Sequence, residues 1–274
     1  MSESNQNNEY IEGDVKIKTS FSAWLDNFLY HYKWHAIAVL FIIFVVVICT
    51  VQTCSKTSYD LHVVYAGDKD VKMSAEAGAK SEYEQLLLAV RKYAPDRDGD
   101  GNRNLSLQNL YLPSAEEIAR LEALIQELKE KGEESFEISY TLISNNQSTF
   151  ESDLIFGDYH IYLISDSLLF ANTKTEASNP FTDIRGYLPE GSEAVIGNAD
   201  TEAEGYVLAS EYGVYLHSTP LADEPGFSSL PENTVIALRK YSPQTSGLST
   251  VGSEEYFRYN EGVLRNLLSG KADF

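Results

Sequence analysis

Residues 59–67, Tyr-Asp-Leu-His-Val-Val-Tyr-Ala-Gly, decide the fold class of this chain, because they begin an alternation of strand and helix patterns. The run is rich in apolar and β-branched side chains and stops at a glycine, which is typical of a buried strand. The elements predicted after it are a helix at 81–93, a strand at 104–112, a helix at 114–131, a strand at 136–143, a short helix at 149–156 and a strand at 159–164. This order predicts an α/β domain with a mixed, largely parallel sheet.

The second of these strands has an irregular apolar pattern. Leu105 and Leu107 alternate with polar residues, but Leu110 and Leu112 continue in the opposite phase. Because side chains alternate between the two faces of a strand, this change predicts a register shift at Asn109.

After Asp166 the pattern changes to short strands separated by turns rich in proline and glycine. The strands are predicted at 194–196, 204–208, 212–218 and 234–238, and a final helix at 253–268. Two arrangements stay open, since these strands could extend the first sheet or form a small lobe beside it.

Upstream of the domain, residues 34–53 contain no Asp, Glu, Lys or Arg. At about 1.5 Å per residue, such a helix spans roughly the 30 Å hydrocarbon core of a bilayer. The alternatives are a buried core helix, which normally keeps a polar stripe, and a cleaved signal peptide. Because 33 residues precede the run and no small-residue cleavage site follows it, we expect an uncleaved transmembrane helix.

Two segments precede this helix. Residues 1–18 are polar and acidic, which predicts a disordered cytoplasmic tail. Residues 19–33 predict an amphipathic helix at the membrane interface, although packing against a partner subunit would suit its aromatic face as well. The residues of that face recur at helical spacing: Phe21, Trp24, Leu25, Phe28, Leu29 and Tyr32.

The orientation of the anchor does not follow from its flanking charges, since three lysines precede the apolar run and three follow it within 20 residues. A short polar tail followed by a long domain favours the amino terminus inside, with 54–274 as an extracellular domain. The only cysteines, Cys49 and Cys54, lie in or beside the anchor. This usage suits the outer face of a Gram-positive-type bacterial membrane, and also a cytosolic domain.

Composition excludes several function classes. The chain has 21 Lys and Arg against 41 Asp and Glu, a formal net charge of -20. Nucleic-acid binding requires clustered basic side chains, so nucleic acid is excluded as a partner. Divalent or cationic partners remain open. With 43% apolar residues, the chain can form a packed core.

The segment 95–104, Pro-Asp-Arg-Asp-Gly-Asp-Gly-Asn-Arg-Asn, resembles the acidic half of a calcium loop. Three aspartates at alternate positions can wrap a hard cation, and the following glycine permits a sharp turn. Position 12 is Leu107 rather than the bidentate Glu of an EF-hand, so a structural Ca²⁺ site would need a carboxylate from elsewhere, or water. The alternative is a turn that binds no metal. The candidate ligands are Asp96, Asp98, Asp100, Asn102 and Asn104.

Three features carry a family resemblance: the strand ending at 65–67, the acidic loop before a strand, and Gly157 leading into the strand at 159–164. They resemble uncharacterised membrane-anchored ectodomains of Firmicutes and the first lobe of extracellular solute-binding proteins. The likeness covers roughly residues 58–166 and implies a reduced solute-binding-like fold. It assigns no ligand residue. A cleft is then expected at the carboxyl ends of the parallel strands, near Gly67, Leu112 and Ser165.

Catalytic patterns are absent from the sequence. It contains no G-x-S-x-G, H-E-x-x-H, P-loop or C-x-x-C motif. His62, His160 and His217 all lie on predicted strands, where a structural role is expected. An enzymatic activity is therefore unsupported. Two classes remain: a tethered ligand-binding or sensing domain that takes a small ligand, and a non-catalytic scaffold or assembly subunit that contacts other proteins of a membrane complex.

Overall fold

A computed structural model describes residues 21–54, 59–71, 80–157, 159–241 and 253–272. The predicted tail at 1–18 lies outside the described residues. The chain divides into two compact units, Met1–Thr57 and Ser58–Phe274. Each unit is described by itself.

The described part of the first unit is one helix, α1 (Phe21–Cys54). The sequence predicts two segments here, an interfacial helix at 19–33 and a transmembrane helix at 34–53. In the structure one continuous helix covers nearly all of both. Within α1, Tyr30–Val51 is long and apolar enough to cross a membrane, and the described part of its most apolar stretch is exposed. This result depends only on length and composition, and a signal sequence near an amino terminus passes the same test.

The second unit is a mixed α/β domain built on one seven-stranded sheet. The strands are β1 (Leu61–Gly67), β2 (Leu105–Tyr111), β3 (Ile161–Ser165), β4 (Ala194–Ile196), β5 (Tyr206–Ser210), β6 (Gly213–Tyr215) and β7 (Thr234–Leu238). The helices are α2 (Glu82–Tyr93), α3 (Ala115–Lys131), α4 (Tyr140–Phe156), α5 (Asp166–Asn172) and α6 (Glu254–Ser269). The predicted α/β class is therefore confirmed.

The strand order in the sheet is β2-β1-β3-β7-β6-β5-β4. Strand β1 pairs in parallel with β2 and β3, and β4 pairs in parallel with β5. The pairs β3–β7, β7–β6 and β6–β5 are antiparallel. Because β7 pairs directly with β3, the strands of the second half extend the first sheet and do not form a separate lobe.

Both faces of the sheet are covered by helices. On one face, Leu86 and Val90 of α2 and Val263 and Leu267 of α6 pack in one buried cluster with alternate residues of β1 and β3. On the other face, Phe150 and Leu154 of α4 and Leu169 of α5 pack in a second cluster with the intervening residues of the same strands. The result is a three-layer arrangement in which the central strands are apolar on both sides.

This two-sided burial corrects the predicted register shift at Asn109. The β1–β2 register runs without interruption from Leu105 to Tyr111. Leu105 and Leu107 enter the cluster with α2 and α6, whereas Leu110 enters the cluster with α4. The change of phase in the sequence reflects a strand that is buried first on one face and then on the other.

The strand predicted at 136–143 is wrong. Residues 133–139 form no regular element, and α4 begins at Tyr140, with the hydroxyl of Ser139 accepting from the Leu142 amide at 3.4 Å. Ile138, Tyr140 and Leu142 alternate with polar residues as in a strand, but the helix continues to Phe156 because Phe150 then reaches the core. The connection between β2 and β3 therefore contains two helices.

The carboxyl end of α4 is held by a buried arginine. Arg239, which is 3% exposed, donates from Nε to the Leu154 carbonyl at 2.9 Å and from Nη2 to the Ile155 carbonyl at 3.4 Å. Its Nη1 donates to the carbonyl oxygens of Gly157 and Tyr159. The last carbonyls of a helix have no intrahelical donor, and one guanidinium here donates to two of them and to two carbonyls just beyond the helix.

Candidate functional site

The acidic loop lies between α2 and β2 and is folded by its own aspartates. Asp96 accepts from the backbone amides of Gly99 and Gly101, both at 2.8 Å. Gly99 and Gly101 have φ angles of 72° and 83°, in the left-handed region that favours glycine. Asp98 accepts from the Asp100 amide at 3.2 Å. The sequence therefore folds this segment into a tight, acid-lined turn.

A further aspartate, Asp60, joins this turn from the residue before β1. It is 1% exposed, and its two carboxylate oxygens accept from the backbone amides of Arg97 at 3.0 Å and Asn104 at 2.7 Å. Ligand oxygens of Asp60, Asp96 and Asp98 lie within 4.8 Å of one another. We call these three residues the acidic triad. Carboxylate oxygens grouped in this way could bind a hard metal ion.

The triad contains two of the five residues that the sequence singled out, Asp96 and Asp98. Asp100 lies outside it, with its carboxylate accepting from the Asn102 amide at 2.6 Å. The backbone amide of Asn104 donates a hydrogen bond to the Asp60 carboxylate. Asp60 is not among the predicted ligands, because it stands 36 positions before Asp96, at the start of an apolar strand. The one signal for Asp60 in the sequence is that an ionisable residue stands in an otherwise apolar strand pattern, where a buried charge needs a partner.

Asp96 and Asp98 also line an open cleft of about 640 Å³. Its other lining residues are Pro95, Arg97, Ser253, Glu255, Tyr256 and Tyr259. The rings of Tyr256 and Tyr259 stack with centroids 6.1 Å apart, and the Arg97 guanidinium lies 5.2 Å from the Tyr256 ring centroid. We call this the loop cleft. It brings carboxylates, a guanidinium and aromatic rings together at the start of α6.

The loop cleft lies at the amino ends of β1 and β2, whereas the sequence predicts a cleft at the carboxyl ends of the parallel strands. At the carboxyl ends, the described side chains bond to one another. Asp68 accepts from the Asn233 side chain at 2.9 Å and from the Ser114 amide, and Asp166 accepts from the Tyr215 hydroxyl at 2.9 Å. A second open cleft of about 680 Å³ shares Pro95 with the loop cleft and lies between residues 186–190 and α6.

The three histidines of the domain lie outside the acidic triad. The rings of His62 and His160 flank Tyr256, with centroids 6.4 and 5.8 Å from its ring. His160 is 2% exposed, and neither ring nitrogen has a hydrogen-bond partner among the described residues. Burial, together with the nearby charge of Arg239, lowers the pKa of His160 to about 4. His217 lies elsewhere, with Nδ1 3.2 Å from the Glu232 carbonyl oxygen.

Comparisons of the chain with protein-family models, curated proteins and solved structures found no match.

Proposed function

We propose that the chain is a membrane-anchored extracellular domain of reduced solute-binding-like fold that binds or senses a ligand in the loop cleft, with Ca²⁺ held by the acidic triad. One observation carries the proposal: Asp96 and Asp98 belong both to the triad and to the wall of the cleft. A cation bound there would lie at the edge of the ligand space. It could then order the loop that forms this wall of the cleft.

Calcium suits the triad better than a softer metal does. The grouped ligands are carboxylate oxygens, and Ca²⁺ takes six to eight oxygen ligands in flexible geometry. Backbone carbonyls and water would complete the shell. Extracellular calcium is present at millimolar level, which fills even weak sites.

Chelation should lower the melting temperature of the full chain in detergent, because a cation bound only by the folded state stabilises it. At a free Ca²⁺ concentration 100 times the dissociation constant, the free energy of unfolding increases by about 2.7 kcal/mol. Asp98→Asn should abolish this response, whereas the matched change Asp100→Asn, two residues further along the loop and outside the triad, should keep most of it. Differential scanning calorimetry in chelator and in millimolar Ca²⁺ gives the measurement.

Equal melting temperatures in chelator and in Ca²⁺ would contradict the calcium site and reduce the segment to a turn without metal. Equal loss of the response in both variants would keep a calcium site but make Asp100 a ligand, as the sequence predicts, and would contradict the assignment of the site to the triad alone.

The walls of the loop cleft favour a polar ligand with a flat apolar part, because Arg97 and the carboxylates supply hydrogen-bonding groups and the tyrosine rings supply a flat apolar surface. A thermal-shift screen of the full chain against amino acids, sugars and short peptides, with and without Ca²⁺, tests this. Glu255→Trp should block a stabilising ligand, while Glu254→Trp, on the adjacent residue outside the cleft lining, should not. A ligand unaffected by Glu255→Trp would bind elsewhere.

The proposed orientation, with the amino terminus inside, predicts a simple protease pattern. Protease added to intact cells should digest the chain after residue 56 and leave an amino-terminal tag intact. Protection of the domain until the cells are lysed would reverse the orientation and contradict the extracellular assignment.

A second candidate function, a scaffold or assembly subunit, is favoured by α3. None of its 17 residues is buried, and Leu124, Phe136, Tyr140 and Leu142 are exposed around it and the start of α4. An apolar surface of this kind is typical of contacts between proteins. Leu124→Glu with Leu142→Glu should then shrink the complex extracted from native membranes by mild detergent, as measured by size-exclusion chromatography. An unchanged complex would contradict the scaffold role of this surface.

A further inference from the structure

One of the two edge strands of the sheet, β4, has an open outer side among the described residues. The strand order ends at β4, and among the described residues no strand lies on its outer side. All three of its residues are exposed, with Val195 at 44% and Ile196 at 72%. Because successive side chains point to opposite faces of a sheet, one of these two apolar side chains is exposed on each face of the edge strand.

The backbone of β4 places unpaired groups along this edge. The Tyr206 amide donates to the Glu193 carbonyl at 2.9 Å, and the Gly197 amide donates to the Leu208 carbonyl at 2.9 Å. Residues 193 and 197 therefore face β5, and alternation along the strand directs the backbone N–H and C=O groups of Ala194 and Ile196 away from the sheet. Those groups form a ready template for one more strand.

The charges around the edge determine which strand it can accept. Between Arg185 and Arg239 the sequence contains nine acidic residues and no Lys or Arg. Glu193, Asp200, Glu202 and Glu204 are exposed beside β4 or in its connection to β5, and no ion pair is found for them among the described residues. A second copy of the chain would bring like charges together, so these carboxylates oppose self-pairing and attract a basic segment.

We propose that the edge of β4 is a docking site for an extended segment of a partner protein in which Lys or Arg alternates with apolar residues. The segment adds a strand to the sheet through the outward groups of Ala194 and Ile196. Its apolar side chains cover Val195 or Ile196 on one face, and its basic side chains pair with the surrounding carboxylates. This site is separate from the loop cleft and goes beyond the proposed ligand binding.

The test uses the full chain in nanodiscs of neutral phosphatidylcholine and a fluorescent peptide of alternating lysine and valine. Anisotropy should show saturable binding that weakens as salt is raised. Ala194→Pro removes an outward N–H without touching a bond to β5 and should weaken binding at least tenfold. The double change Glu193→Lys and Glu204→Lys should weaken it by a similar factor. The matched control peptide has the same sequence with alternate amides N-methylated, which keeps its charge but prevents strand pairing.

Several outcomes would overturn the proposal. These are the absence of saturable binding, equal binding of the N-methylated peptide, and equal binding by Ala194→Pro. If circular dichroism shows that Ala194→Pro is unfolded, the comparison of the two peptides on the native chain decides the question. A dimer in sedimentation experiments that Ala194→Pro abolishes would assign the edge to a second copy and contradict the proposed partner.

Discussion

Arg239→Met is expected to lower the free energy of unfolding of the domain by about 3 kcal/mol. The methionine side chain fills a similar volume but leaves the carbonyls at the end of α4 without donors, and each buried unsatisfied group costs about 1–3 kcal/mol. Arg239 is 3% exposed, so water does not replace it easily. For a domain of this size the loss corresponds to roughly 6–12 °C in melting temperature, measurable by calorimetry on the full chain in detergent.

The matched control is Arg258→Met. Arg258 forms an exposed ion pair with Glu254 at 2.8 Å, and such pairs contribute less than about 1 kcal/mol. Arg239→Lys should fall between the native chain and Arg239→Met, because an ammonium group keeps the charge but cannot reach four carbonyls in a fork. If both methionine variants melt at the native temperature, Arg239 does not hold the helix end.

The second large effect is an acid-dependent loss of stability through His160. Its pKa is about 4 in the folded state against 6.5 when unfolded, so between these pH values the unfolded chain binds more protons. The contribution of neutral His160 is fully present above about pH 6.5 and is lost as the pH falls towards 4. This loss amounts to roughly 3 kcal/mol.

His160→Phe and His160→Gln separate this effect from the general acid sensitivity of an acidic protein. Neither replacement titrates, so neither variant loses the stability that the native chain loses through His160. As the pH falls from 7 to 4, the unfolding free energy of each variant should therefore rise relative to that of the native chain. Urea denaturation at several pH values measures it. The glutamine variant controls for the fit of a phenylalanine between Tyr256 and Phe257. A pH-independent difference in both variants would show that His160 is not the responsive group.

Several elements of the domain could be predicted from local sequence, because their patterns are strong and their neighbours are close along the chain. Helix α2 follows Ser81, whose hydroxyl accepts from the Glu84 amide at 3.1 Å, and ends before Pro95. Helix α3 ends at Gly132, which has the left-handed φ of 70° expected of a helix-terminating glycine. Strands β1 and β3 are apolar on both faces, as central strands of an α/β sheet must be.

The start of α4 could not be predicted, because its first turn alternates apolar and polar residues and is exposed. The helix is fixed from its far end, where Phe150 and Leu154 pack against the sheet and Arg239 holds the last carbonyls. Arg239 follows β7, more than 80 positions later. No local pattern contains that contact.

The candidate site divides in the same way. The acidic turn could be predicted from local sequence, because Asp96 accepts from amides three and five residues further on, within one loop. Only the tertiary structure brought Asp60 beside it, since parallel pairing of β1 with β2 aligns Leu61 with Leu105 and so places the residues before each strand together. The sheet order likewise left β4 at the edge. Hydrogen bonds between residues that are close in sequence can be predicted from the local pattern. Which strands become neighbours in the sheet depends instead on how helices and loops bury both of its faces.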